Sequence, residues 1–289
     1  MGLIRKFKLI RIPVMVCAVL LTIFVLPFTC QCASAKQITI SSASELAKIG
    51  HDSEYPMDGD YVLEKDIDLS DAGWEPIGGR GVTDRYKDYI GIRGDCNIDN
   101  PNVFSGTFDG NGHVISGMTI NLDGGVNAGD RNCGQIGLFS VIAGNNPDDP
   151  AVVRNLIMTD VNINVDFSDG FAAVGSLAGE VNGYAGIDNV AIVNGNIIAN
   201  PTSACDTVGI GGVIGEVRTA SVIGNGNVTI SNVYNGVDVA ASGPRHDYMY
   251  AAGIIGRIAK SKIGMVRNCI NIGTILYDGF VAYPVTYPE

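Results

Sequence analysis

The run richest in reactive side chains is Asp109-Gly110-Asn111-Gly112-His113. Asp109 and Asn111 offer oxygens to a cation, and His113 adds an imidazole, so a calcium loop or part of an acid site is one reading. Calcium takes six to eight oxygen ligands, and this run supplies few. The other reading is a tight turn in which Asp and Asn bond their own backbone, and it is preferred. Asp66 and Asp68 flank Ile67 on one strand. Paired carboxylates serve glycosidases, but no second member on another element can be named, so a solvated strand face is expected. Asp148 and Asp149 read as an acidic loop tip. Arg245, His246, Tyr248 and Tyr250 form a mixed polar and aromatic stretch suited to a glycan or protein partner, with a plain surface loop as the alternative. No nucleophile–His–acid order, phosphate-binding glycine loop or metal-ligand spacing is visible. Catalytic residues, metal and cofactor are therefore expected to be none.

The elements that must carry these residues are β-strands. The chain has 289 residues with 38 Gly, one Trp and many short aliphatic runs. Helical periodicity is confined to one short segment, which suggests an all-β chain with frequent turns. Residues 1–35 read as a secretory signal. Arg5, Lys6, Lys8 and Arg11 precede an apolar run from Ile12 to Phe28, and Ala33-Ser34-Ala35 offers a cleavage site before Lys36. An uncleaved anchor is the alternative, because the apolar run is nearly long enough to span a bilayer. Without those four basic residues, 15 Lys and Arg face 30 Asp and Glu, a net charge of −15. Such a surface repels nucleic acid and anionic lipid. A secreted or cell-surface location is expected, with membrane contact only through the signal segment.

Cys96, Cys133, Cys205 and Cys269 remain after the signal. Cys96 and Cys133 both lie in polar insertions. A bridge between them and four free thiols are equal readings. Cys269 stands at an aliphatic position of the repeat and is expected to be a buried free thiol.

Ser42 and Glu45 have capping-box spacing, which predicts a helix over Ala43–Ile49, closed by Gly50. Tyr61–Leu69 reads as one strand with Val62, Ile67 and Leu69 inward. From Ile115 the chain repeats. I-S-G-M-T-I at Ile115–Ile120 recurs at Val153–Met158, Ile187–Ile192, Ile230–Asn235 and Val266–Asn271. Its anchoring position is Gly117, then Asn155, Asn189, Asn232 and Asn268, in steps of 38, 34, 43 and 36 residues. A second element begins at Gly137, Ser176, Gly212 and Gly253, in steps of 39, 36 and 41. Two elements with one shared period indicate stacked repeats. Aliphatic residues two before and one after the Asn can both face inward only if the chain bends there. Asn tolerates the left-handed backbone of such a bend, and stacked copies would let the amides bond one another.

These residues carry a family resemblance. Ser42–Ile49, Asp66–Leu69, Trp74–Gly78 and Phe104–Gly117, with the short glycine elements, resemble the GLUG-motif surface proteins. They are also similar to the non-catalytic region of IgA-protease-type peptidases. The resemblance implies a right-handed parallel β-solenoid with a short N-terminal capping helix. Residues 36–135 would form the cap and first coils, and 136–289 the repeat coils of the same solenoid. It implies adhesion or partner binding rather than chemistry. Peptidases of that kind carry H-E-x-x-H in a separate domain, and none of His51, His113 and His246 begins one. A carbohydrate-active enzyme and an accessory segment of a larger protease or adhesin are the alternatives.

Overall fold

The computed structural model describes residues 37–71, 73–78, 103–126, 133–144, 146–167, 170–202, 205–218, 226–242, 249–259 and 263–278. The expected signal segment, Cys96, the Arg245–Tyr248 stretch and residues 279–289 lie outside them.

The chain is all-β, and among the described residues its parallel strands form three sheets. The large sheet has 13 strands. It contains β1 (Ile38–Ile40), β2 (Asp60–Leu63), β3 (Ile67–Asp68), β4 (Thr107–Asp109), β5 (Val114–Ser116) and β6 (Thr119–Val126). It continues through β9 (Ala151–Thr159), β10 (Val161–Phe167), β13 (Ala185–Pro201) and β16 (Val228–Ser242) to β19 (Ile263–Arg267), β20 (Ile270–Asn271) and β21 (Ile275–Asp278). The second sheet has β7 (Cys133–Ile136), β11 (Gly170–Val174), β14 (Cys205–Gly211) and β17 (Met249–Ala252). The third has β8 (Phe139–Gly144), β12 (Ala178–Gly183), β15 (Ile214–Arg218) and β18 (Ile255–Ala259). Each strand of the two smaller sheets pairs with the strand one repeat before or after it. Parallel strands need such long connections.

The bends follow the asparagines. Asn155, Asn189, Asn232 and Asn268 all have positive φ, between 53° and 56°. Val153 with Leu156, Ile187 with Val190, and Ile230 with Val233 are buried on the two sides of the bend. Val266 and Cys269 occupy the same positions in the last described repeat, whose strands pair, among the described residues, on one side only. Val266 is therefore exposed, and Cys269 is a free, half-buried thiol rather than a buried one.

The first copy sits elsewhere than the sequence pattern suggests. Ile115 pairs with Met158 and Ile120 with Ile163, so Ile115–Ile120 lies against Met158–Ile163. The partner of Val153 is Phe108, and the bend beside Asn155 is at Asn111, whose φ is 52°. Gly117 belongs to a second bend with Asp160. Both windows carry the pattern apolar, bend, apolar, so pattern matching slips from one bend to the next.

The helix α1 (Ala43–Leu46) is shorter than expected and ends in a turn at Gly50, where φ is +82°. Ser42 Oγ accepts the Glu45 N–H, while Glu45 Oε2 accepts the N–H of Ser41 rather than that of Ser42. Ile40, Leu46 and Ile49 join the core. The expected strand over Tyr61–Leu69 is broken at Glu64-Lys65. Tyr61 and Leu63 point inward and Val62 does not, because Asp60–Leu63 pairs with both β1 and β4 in its own register.

Candidate functional site

In the second element, the residue after the closing small residue is Val141, Glu180, Glu216 and Arg257 in successive repeats. Register places these four in one column across the third sheet. Asn182 and Arg218 fall in the neighbouring column. Glycines before the charged residues make this placement possible. A Cβ at Gly215 would lie 2.3 Å from Val174 N and one at Gly256 2.4 Å from Ile210 N, so third-sheet backbone passes directly against the second sheet.

Glu216 is fully buried, and both its oxygens are used. Arg218 Nε donates to Oε1 at 2.9 Å and Arg257 Nη1 donates to Oε2 at 2.9 Å. Burial pushes the Glu216 carboxyl above its usual range, against the pull of Arg218; neighbouring Glu180 adds to the rise and Arg257 opposes it. Glu180 is buried too, accepting from Asn182 Nδ2 at 3.1 Å and Gln135 Nε2 at 3.3 Å. The two arginine side chains are only partly buried. Arg218 and Arg257 are 18% and 23% exposed. Arg218 lies 5.1 Å from the Phe171 ring centre, and Arg257 lies 5.7 Å from that of Tyr250 and 6.0 Å from that of Phe171. Gly209 leaves room for this, since a Cβ there would stand 3.1 Å from Arg257 Cβ. Each guanidinium thus donates to the Glu216 carboxylate and lies over an aromatic ring.

Of the four expected binding residues, Tyr250 joins this cluster. Arg245, His246 and Tyr248 are not described. Glu180, Glu216, Arg218 and Arg257 are not among the residues singled out in the sequence. The signal was present: one position between a fixed small residue and a fixed aliphatic changes from Val to Glu, Glu and Arg.

The Asp109–His113 run is spent on structure. Asp109 accepts from Asn111 N at 2.8 Å, Asn155 Nδ2 at 3.0 Å and Arg154 Nε at 2.8 Å. Burial pushes its carboxyl up, but the Asn155 amide, the Asn111 N–H and Arg154 hold it below the usual range. Asn111 Nδ2 donates to Leu63 O. His113 Nδ1 lies 3.1 Å from Asp66 Oδ1, which also accepts the Val114 N–H. Asp68 accepts the Ser70 N–H. Among the described residues no group of three or more His, Cys, Asp or Glu is arranged to hold a metal ion. The Cys133 side chain and Cys96 are not described, so their bridge stays an expectation.

Gly137, Ser176, Gly212 and Gly253 mark the turns between the second and third sheets. Cβ atoms at Gly212 and Gly253 would meet the Asn235 and Asn271 amides at 2.2 and 2.1 Å. A groove of about 440 Å³ also lies beside α1, over Ala47, Leu69, Trp74 and Pro76, with Asp68 and Glu75 on its lining. The Trp74 Nε1 proton is committed to Leu138 O at 3.2 Å.

No family model matches the chain. A curated protein of Evansella cellulosilytica, described as a Gly-rich membrane protein, is 36% identical over 138 residues. The match covers 46% of this chain but only 12% of that relative's length. A solved structure described as an immunoglobulin A1 protease from Bacteroides ovatus is 12% identical, covering 85% of this chain and 84% of its own, with a TM-score of 0.28. At that score the likeness carries no conclusion. No helix among the described residues is long and apolar enough to cross a membrane.

Proposed function

We propose that the chain is a non-catalytic, right-handed β-solenoid module of a secreted or cell-surface protein of GLUG type, and that it binds carbohydrate. The solenoid reading is supported by ladders that join each strand to its counterpart one repeat away. The GLUG reading rests on the Phe104–Gly117 stretch and the repeated glycine elements. The location rests on the signal-like leader, and a relative described as a membrane protein agrees with it.

The observation that carries the binding reading is the pairing of Arg218 and Arg257 with Phe171 and Tyr250 at the outer margin of the Glu216 network. Aromatic faces stack on the apolar faces of sugar rings, and fixed guanidinium N–H groups donate to hydroxyls. Host or cell-wall glycans present such groups. A glycan array probed with the chain is expected to give hits that weaken for both Phe171→Ala and Tyr250→Ala. An array without hits would overturn the carbohydrate assignment.

A carbohydrate-active enzyme is the second reading, because Glu180 and Glu216 stand side by side on neighbouring strands. Against it, both carboxylates are buried and bonded to protein donors, so neither faces a substrate. A polysaccharide-degradation screen separates the two: turnover lost in Glu216→Gln would establish the enzyme. An accessory role inside a larger protease or adhesin agrees with the small share of the relative that this chain spans.

A further inference from the structure

The groove beside α1 has no part in the carbohydrate reading. Its volume of about 440 Å³ falls in the range of about 300–1,000 Å³ usual for small-molecule pockets. Every residue that lines it is described. Leu69, Trp74 and Ile77 are buried and give it an apolar floor. Ala47, on the turn after α1, lines it as an exposed residue.

The charge of the lining is one-sided. Asp68, Asp71 and Glu75 are all exposed, and the lining contains no Lys or Arg. Asp68 accepts the Ser70 N–H. Asp71 and Glu75 have no hydrogen bond or ion pair among the described residues. Lys48 lies beside Ala47 in sequence, but its ammonium stands over the Tyr55 ring, 5.2 Å from the centre, and it does not line the groove. His51 lines the groove and adds one positive charge only when protonated. Three carboxylates therefore border an apolar floor without a balancing cation from the lining.

We propose that this groove is a binding site for a linear aliphatic polyamine. The methylene runs of the ligand lie on the floor at Leu69 and Trp74, and its ammonium groups meet the rim carboxylates. Two properties of the lining select this occupant together. A neutral apolar ligand leaves three carboxylates uncompensated, and an anion is repelled by them. An inorganic cation neutralises them but has no apolar part for the floor. A chain that alternates methylene runs with ammonium groups complements both. A lysine or arginine side chain of a protein brings a single cation on its stem against three carboxylates.

Trp74 is the only Trp in the chain, so its fluorescence reports on the groove directly. Titration of the full chain with spermidine in low-salt buffer is expected to give a saturable change at one equivalent, weakening as salt is added. Asp71→Asn combined with Glu75→Gln should weaken binding about 4- to 25-fold with unchanged circular dichroism, at about 2- to 5-fold for each exposed ion pair lost. Ala47→Arg, at an exposed position, supplies the groove with a cation of the chain's own and should abolish binding. It decides the matter alone if the double variant does not fold. Asp148→Asn combined with Asp149→Asn removes the same charge from an acidic stretch outside the lining and should bind as the parent does. The absence of a saturable change overturns the proposal. An equal response to Mg²⁺, or equal weakening in the Asp148 and Asp149 variant, overturns it too, since either would mean a diffuse ion atmosphere on an acidic surface. A lysine-rich peptide that binds more tightly than spermidine would overturn it by making the groove a protein-docking site.

Discussion

Asn189 Nδ2 donates to Asn155 Oδ1 at 2.9 Å, although 34 residues separate the two. Both residues hold left-handed backbone, at φ 54° and 53°. The bond therefore links two identical bends in successive repeats. Asn268 repeats it onto Asn232 at 3.0 Å. Asn232 departs from the row and donates to Asp188 at 2.8 Å, a charged acceptor that also takes the Ser231 hydroxyl. At the other end Asn155 donates to Asp109, so an aspartate begins the row that asparagines continue.

Asn189 consequently has two duties that substitution can separate. Asn189→Ala should lose about 2–3 kcal/mol, combining roughly 1–2 kcal/mol for a left-handed Ala with about 1 kcal/mol for the bond. Asn189→Gly keeps the bend and should lose only about 1 kcal/mol. Urea unfolding of the two variants measures the difference. Equal losses would mean that the bend conformation contributes nothing.

The turn between the smaller sheets should respond oppositely at equivalent positions. Gly212→Ala drives a methyl to 2.2 Å from the Asn235 amide and 2.3 Å from Gly253 O, and should cost about 2–3 kcal/mol. Ser176 is fully buried, and its hydroxyl has no hydrogen-bond partner among the described residues. Ser176→Ala removes a dry hydroxyl and should stabilise by about 1 kcal/mol. Thermal unfolding of both reads the opposite signs.

Removing the shared anion strands two guanidinium groups. Glu216→Leu should cost about 3 kcal/mol, because Arg218 and Arg257 lose their common acceptor beneath a largely buried site. Adding Arg257→Met should recover part of that loss. A double-mutant cycle measures the recovery, and strict additivity would mean that the pair is not coupled.

Acid stability should carry the signature of Asp109. Its folded-state carboxyl titrates below the ordinary value. Its contribution is therefore present above the unfolded-state value of about 3.9 and is lost as pH falls through the lower folded value. Asp109→Asn should flatten the decline of stability below about pH 4. Glu216 has the opposite sign: its raised carboxyl favours the folded state at low pH and loses that contribution as pH rises through the folded value. Unfolding free energies measured across pH 2–6 resolve the two slopes.

The repeats were legible because each bend needs a particular residue, and Asn155, Asn189, Asn232 and Asn268 supply it at a nearly constant spacing. Parallel all-β structure followed from that spacing. The first repeat was not legible. Gly110 adds a residue to the turn before Asn111, and the Gly117 bend shows the same flanking pattern, so only backbone pairing distinguishes them. The Glu216 network was hidden for a different reason. Its members belong to separate repeats, with 41 residues between Glu216 and Arg257 and 45 between Gln135 and Glu180, and the variable position that Glu180, Glu216 and Arg257 occupy lies between fixed Gly and aliphatic positions.

Binding without turnover at the Arg257–Tyr250 face is open to direct measurement. Proton NMR of an array-selected oligosaccharide, followed for days beside the chain, tests it most directly. Broadened sugar signals at once, less broadening with Tyr250→Ala, and no new reducing-end signals are expected. New reducing-end or unsaturated-sugar signals that disappear with Glu216→Gln would contradict it and make the chain an enzyme.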